Sequence, residues 1–230
     1  DNITFLKQKL NLDAFEDYLR FPRYYEIETV NACNAACKMC TVNKWGKNDD
    51  PFMSDALFRK MADELIDYRD VVRTVNLSRD GEPLMDRKLE EKIAYLKKGG
   101  IKHITFSTNA ALLTKKRAAS LLDSGLDEIM FSVDGLKKET FEKIRAGLKF
   151  EKIVGNVLQF IKLRDHAVSK VKIRVRMVIQ RENLPEVEKW GRYWRGVLQS
   201  QDSVHAKNVH SWANTLENYV AVKEADRLTT

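Results

Sequence analysis

The sequence predicts an α/β fold built on a parallel sheet of six strands, and three observations predict it. Short β-branched or aromatic runs alternate along the chain with stretches of helical periodicity. Those stretches are long enough for right-handed crossovers, which set consecutive strands side by side and pointing the same way. Unusual polar residues and glycines gather where the strands end, and sheets of this kind place their chemistry at the C-terminal strand ends.

The first strand is expected in the apolar stretch that ends Ile27-Glu28-Thr29-Val30. Ser54 then caps a helix carrying Leu57, Met61 and Leu65. Arg73 to Ser78 is the second strand, and Leu89, Ile93 and Leu96 mark a helix that stops at Gly99-Gly100. Ile101 to Ser107 is the third strand, followed by a helix opened by Thr114, carrying Leu121 and Leu122 and stopped by Gly125. Glu128 to Val133 is the fourth. A helix from Phe150 to Leu163 presents Ile153, Val157, Phe160 and Ile161, and Val171 to Ile179 is the fifth strand. Pro185 sits in the first turn of a helix bearing Val187, Trp190 and Trp194, and a weaker sixth strand covers Val204 to Val209.

Composition bounds the class. The 230 residues can bury a substantial core, and 43% apolar with 32% charged residues is what one globular body shows. No apolar run approaches a membrane span, and the N-terminus lacks the basic-then-apolar pattern of a secretion signal, so a soluble cytoplasmic protein is expected. The net charge of +7 comes from 40 basic and 33 acidic residues. The basic residues lie thinly over helix faces, as at Lys97-Lys98 and Lys115-Lys116-Arg117, with no interleaved aromatics, which argues against nucleic acid. An anionic small molecule or acidic partner suits the charge as well.

Cys33, Cys37 and Cys40 are the only cysteines and fall within eight residues, just after the first strand. A loop at a strand end can aim three thiolates at one point, as assembly of an iron–sulfur cluster requires. A cubane has four irons, so three protein ligands leave one iron free; a structural cluster or zinc site is normally closed by four. None of the four histidines stands at a zinc-finger spacing, and three cysteines make no disulfide framework. Buried cysteines that merely pack, or a non-catalytic iron–sulfur or zinc module that binds a partner, are the alternatives.

The later strands end in Asp80-Gly81-Glu82-Pro83, Ser107-Thr108-Asn109 and Ser132-Val133-Asp134-Gly135. Each segment alone could be turn chemistry. Together they converge with the cysteine loop on one mouth.

With these residues in place, the chain resembles the radical S-adenosylmethionine (radical SAM) enzymes, whose hallmark is a three-cysteine loop with three and then two intervening residues after the first strand of a partial (β/α)6 barrel. Cys33, Cys37 and Cys40 match that spacing in full, and the resemblance covers roughly Tyr25 to Val209. It implies a partial (β/α)6 TIM-like barrel over residues 23–212, flanked by an N-terminal helical extension (1–22) and by residues 213–230 as a C-terminal tail or the start of a missing auxiliary domain. It also implies a [4Fe-4S] cluster on the three thiolates and S-adenosylmethionine chelated to its fourth iron. Reductive cleavage of the sulfonium would give methionine and a 5′-deoxyadenosyl radical that abstracts hydrogen from substrate. An electron donor such as flavodoxin or ferredoxin is implied as partner, with no membrane involved.

The resemblance assigns roles residue by residue. Met39 stands where the family usually has an aromatic and would pack near the adenine. Asp80-Gly81-Glu82-Pro83 matches the Gly-Gly-Glu-Pro motif with Asp80 in place of the first glycine, and Glu82 would accept from the methionine ammonium. Ser107 and Asn109 would face the ribose, Ser132 would bind the carboxylate, and Met177 would line the adenine pocket. Arg145 holds the position at which related enzymes set an arginine against the methionine carboxylate, for which a guanidinium fork is suited.

The segment Val204 to Asn214 resembles the sixth strand and following turn of the auxiliary-cluster (SPASM) enzymes, in which a cysteine-rich domain follows. Such a domain is expected to be missing here, by nature or because the chain is a fragment. The substrate stays open between a peptide and a small metabolite such as a sugar or nucleoside. Asp80, Asp134 and His210 lie near the predicted mouth, but none is assigned as catalytic acid or base.

Overall fold

A computed structural model describes residues 4–5, 21–42 and 48–209. Most of the expected N-terminal extension, His210 and the whole of the expected tail therefore lie outside the described residues. The elements are β1 (Tyr24–Glu26), β2 (Ala36–Cys37), α1 (Asp55–Asp67), β3 (Thr74–Asn76), α2 (Leu89–Lys98), β4 (Ile104–Thr108), α3 (Lys115–Asp123), β5 (Glu128–Ser132), α4 (Lys138–Ile144), β6 (Arg145–Ala146), α5 (Phe150–His166), β7 (Lys172–Ile179), α6 (Val187–Val197) and β8 (Ser203–Asn208).

Six strands form one sheet in the order β1-β3-β4-β5-β7-β8, and every pairing is parallel. Spatial order follows chain order because each strand returns through a helix on the same side. The sheet is open, with β1 and β8 as its edges.

Strand alternation divides its two faces. Ile104, Phe106, Ile129, Phe131, Ile173, Val175, Met177 and Ile179 are buried against the helix layer, together with Phe160, Trp190 and Trp194. The alternate residues, among them Thr105, Ser107, Met130, Ser132, Arg174 and Arg176, lie half-buried on the open face.

The caps fall where the sequence places them. Ser54 accepts the Leu57 N–H at 3.2 Å and Thr114 the Arg117 N–H at 3.2 Å. Gly100 (φ 92°) and Gly125 (φ 86°) turn the chain in left-handed conformations after α2 and α3. Two expectations are corrected. The buried face of α1 is Phe58, Ala62 and Leu65, whereas Leu57 points outward, because the helix phase set by Ser54 turns position 57 away from the sheet. The first strand lies earlier, at Tyr24–Glu26: past Ile27, which still donates to Asn76 O at 2.8 Å, the chain leaves the sheet and Val30 bridges Phe52 instead.

The core is stapled at one end by a buried ion pair. Arg164 at the end of α5 meets Asp202, just before β8, through Nη1 at 2.8 Å and Nη2 at 2.7 Å. Asp202 also accepts the backbone N–H groups of Ile173 and Gln199. Among the described residues no helix is long and apolar enough to cross a membrane.

Candidate functional site

The cysteine loop is held by a small sheet that sequence reasoning did not anticipate. β2 pairs antiparallel with β6, setting Cys37 opposite Arg145 and Ala36 opposite Ala146. Lys38 N–H donates to Ile144 O at 2.8 Å, and Cys40 N–H donates to Cys37 O at 3.0 Å, closing a tight turn between the last two cysteines. Met39, within that turn, is buried against Ile144, Val209, Cys37 and Val178.

The three thiols are partly buried in one loop. Burial pushes Cys33 up to about 11, with the Ala35 N–H pulling the other way and Glu82, Cys37 and Cys40 adding to the rise. Burial likewise raises Cys37, against Arg145. No three Cys, His, Asp or Glu side chains among the described residues stand as a ready-made metal cage. The donor set nonetheless fits a cluster carried on three thiolates: the cysteines sense one another's charge, and cationic Arg145 stands beside them to favour the thiolate form that metal binding requires.

Arg145 lies at the junction of α4 and β6, buried, not on a helix surface. Its Nε donates to Asp134 Oδ2 at 2.7 Å, and Nη1 lies 3.7 Å from Cys37 Sγ. Burial alone pulls the guanidinium down, but Asp134 and Cys37 outweigh it, so the group is held protonated. Asp134 is fully buried; its Oδ1 accepts the Val178 N–H at 2.6 Å, and its carbonyl accepts from Asn183 at 3.0 Å. Asp134 is therefore a brace between β5, β7 and Arg145.

Glu82 is buried where the segment after β3 meets β4. Oε1 accepts from Thr108 Oγ1 at 2.6 Å and from Leu84 N–H at 3.0 Å, and Oε2 accepts the Asn109 N–H at 2.8 Å. Burial pushes its carboxyl up, while these donors oppose the shift. Of about four acceptor positions on a carboxylate, these internal bonds leave one. Asn109 donates to Asn34 Oδ1 at 2.8 Å, and its Nδ2 lies 3.9 Å from Cys33 Sγ, so β4 is tied directly to the cysteine loop.

The departure at Asp80 is accommodated. Its backbone is not left-handed, and Glu28, expected only as part of the first strand, fixes the turn: its Oε1 accepts the N–H groups of both Asp80 and Gly81 at 2.8 Å. Gly81 is required by space, since a Cβ there would fall 1.9 Å from Val30 O and 2.9 Å from Ala32 O. Glu28 carried no motif signal; its role depends on the chain leaving the sheet after Ile27.

Ser107 and Ser132 lie half-buried on the open face, Ser107 with its Oγ 3.6 Å from Met130 Sδ and its N–H donating to Ser78 Oγ at 2.9 Å. Asn109 does not share that setting: it lies beyond the end of β4 and turns its amide to the cysteine loop. Met177 is corrected. Alternation places it on the helix-covered face, fully buried in the core, and the residue of β7 that reaches the Cys37 and Met39 cluster is its neighbour Val178.

The Radical SAM superfamily model matches residues 27–190. A "Probable GTP 3′,8-cyclase" of Methanococcus maripaludis is 34% identical over 138 residues, covering 59% of this chain and 44% of that protein. A "Tungsten-containing aldehyde ferredoxin oxidoreductase cofactor-modifying protein" of Pyrococcus furiosus is 28% identical over 176 residues, covering 74% of this chain and 48% of that one. The chain thus spans about half the length of the curated relatives it matches. Among solved structures, "Native anSMEcpe with bound AdoMet" superposes with a TM-score of 0.65 at 19% identity, over 81% of this chain and 51% of that one. SuiB of Streptococcus suis bound to precursor peptide SuiA gives 0.69 at 15% identity, over 93% and 47%. These likenesses show the fold, an open parallel half-barrel. The family's cofactors are a [4Fe-4S] cluster and S-adenosylmethionine, and with the family model covering residues 27–190 around the three-cysteine loop, this chain belongs to the radical SAM superfamily.

Proposed function

We propose that the chain is the core of an enzyme that reductively cleaves S-adenosylmethionine to open a radical reaction on a peptide or a small metabolite such as a sugar or nucleoside. The observation that carries this reading is the joining of the three-cysteine loop to Arg145 and Asn109, which ties the cysteines to both β6 and the exit of β4. A cluster held by Cys33, Cys37 and Cys40 would supply the electron for reductive cleavage of the sulfonium, to methionine and a 5′-deoxyadenosyl radical able to abstract hydrogen from substrate. The electron comes from a protein reductant such as flavodoxin or ferredoxin.

The chain's own residues have the remaining work of binding and orienting. Arg145, charged and braced by Asp134, would pair with the methionine carboxylate through the nitrogen that Asp134 and Cys37 leave over, with Ser132 beside it. Glu82 would offer its last acceptor position to the ammonium, while its internal bonds hold the β4 exit in place. Ser107 and Asn109 would set the ribose and the loop around it, and Met39 would supply apolar contact to the adenine.

The likeness to a GTP 3′,8-cyclase and to a peptide-bound SuiB supports two substrate classes, a guanine nucleotide and a precursor peptide. Anaerobic reconstitution with iron and sulfide, reduction with dithionite and addition of S-adenosylmethionine should yield 5′-deoxyadenosine and methionine. A protein that binds iron and releases neither is an iron–sulfur interaction module instead.

A further inference from the structure

Next to Ser132, the open face of β7 and β8 carries a cationic row that the bonding just described does not use. Register places Ser132, Arg176 and His205 side by side on three adjacent strands. One step back along β7, Arg174 is neutralised: its Nη2 lies 3.1 Å from both carboxylate oxygens of Glu128. Arg176 has no such partner. Among the described residues no carboxylate forms an ion pair with it, and its Nε is buried without a hydrogen bond. Asp134, the carboxylate whose charge Arg176 senses, is already committed to Arg145 and the Val178 N–H.

The neighbours of Arg176 make the want of an anion sharper. Lys207 stands opposite Val178, one step toward the C-terminal strand ends, and His205 is held below its ordinary value by burial, with Arg174 and Lys207 adding to it. A half-buried guanidinium among positive groups costs free energy unless something answers it. Such local exceptions to polar satisfaction concentrate at functional sites. The row also has a direction: the next open-face residue after Arg176 is Val178, which packs on the same Met39, Ile144 and Val209 cluster as Cys37, so the charge lies beside the cofactor end of the sheet.

We propose that Arg176 anchors a subsite on the open face for an anionic oxygen group of the substrate, a phosphate or a carboxylate, with His205 as a neighbouring polar contact and Lys207 at the rim. This rests on the reading of that face as the side on which substrate meets S-adenosylmethionine, and it narrows the substrate to an anionic molecule. The guanidinium fork suits both oxygen anions.

The test is calorimetric titration of the reconstituted protein, saturated with S-adenosylmethionine, with phenyl phosphate in one arm and glutarate in the other. At least one should bind the wild type; which one identifies the group. In Arg176→Gln the affinity of that anion should fall about tenfold or more, as loss of a charge-assisted bond requires, with partial recovery in Arg176→Lys, while S-adenosylmethionine affinity stays within about twofold by the same bond-counting argument. Absence of binding of either anion to the wild type, or equal anion affinity in Arg176→Gln, overturns the subsite. A matching loss of S-adenosylmethionine affinity overturns it too, by assigning Arg176 to the cofactor's own carboxylate. Should Arg176→Gln lose its cooperative melting transition, phenylglyoxal modification of the wild type decides: the bound anion must slow modification of Arg176, followed by peptide mapping, and an unchanged rate overturns the proposal. Formation of 5′-deoxyadenosine by the same wild-type samples reports on cofactor cleavage separately, so failure of the subsite and failure of the wider reading are distinguishable.

Discussion

Arg145 and Cys37 face each other across a two-residue antiparallel pair, with a guanidinium nitrogen 3.7 Å from the cysteine sulfur and Asp134 bracing the guanidinium from behind at 2.7 Å. The pair sets the charge beside the thiols and keeps a planar fork oriented toward the space in front of them. Replacement by alanine would leave the fully buried Asp134 unpaired, a fold defect of about 3–5 kcal/mol, and would confuse affinity with stability. Arg145→Lys keeps the charge and loses the fork. It should retain the cluster's visible absorbance and lower S-adenosylmethionine affinity about tenfold, on the scale of one charge-assisted bond. Equilibrium dialysis checks this, and unchanged affinity would return Arg145 to a purely structural role.

Glu82 uses both carboxylate oxygens to hold Thr108, Leu84 and Asn109. Glu82→Gln replaces one acceptor oxygen with an NH2 that must confront a donor. The expected cost is about 1–3 kcal/mol in urea unfolding, the penalty for a buried donor left without a partner. Weaker S-adenosylmethionine binding should accompany it, because the same bonds position Asn109 against the cysteine loop. Full stability in the variant would show that the turn holds without the carboxylate.

Asp202 lies under Arg164 and two backbone N–H groups. Burial opposes its ionisation, but Arg164 and those N–H groups prevail and its carboxyl is held below the ordinary aspartate range. A depressed native value means the unfolded chain takes up the proton first. The ion pair's contribution is therefore complete above the unfolded value near 3.8 and is lost as pH falls through the lower native value. Asp202→Asn should cost about 1–3 kcal/mol near neutrality, since it removes the carboxylate from both terminal nitrogens of Arg164 while Asp165 keeps its bond to Nε at 2.5 Å. Its stability should also decline less steeply than that of the wild type as pH is taken below 4, a window about the aspartate value. Thermal unfolding across that range checks both; parallel curves for the two proteins would contradict the assignment.

The alternation of strands and helices, the Ser54 and Thr114 caps and the glycine stops were legible because each is a local signal, settled by residues within a turn of one another. The cysteine spacing was legible for the same reason. Arg145 could be flagged by position, but its setting against Cys37 depends on a pairing between segments 108 residues apart, and the pinning of the 80–81 turn depends on Glu28, 52 residues before Asp80. Met177 shows the limit of apolar character as a guide: on a strand it says that a face is covered, and only the register shows that helices cover it while Val178 turns to the cysteine loop. Arg176 carried no signal in the sequence, because an unanswered charge is visible only when its neighbours are known.

The central claim is that three protein thiolates leave one iron open to S-adenosylmethionine. Electron paramagnetic resonance of anaerobically reconstituted, dithionite-reduced protein tests it most directly. The account predicts the signal of a reduced [4Fe-4S] centre that changes shape when S-adenosylmethionine is added and that disappears when Cys33, Cys37 or Cys40 is replaced by alanine. A protein with no such centre, or one whose signal is the same with and without S-adenosylmethionine, would contradict it.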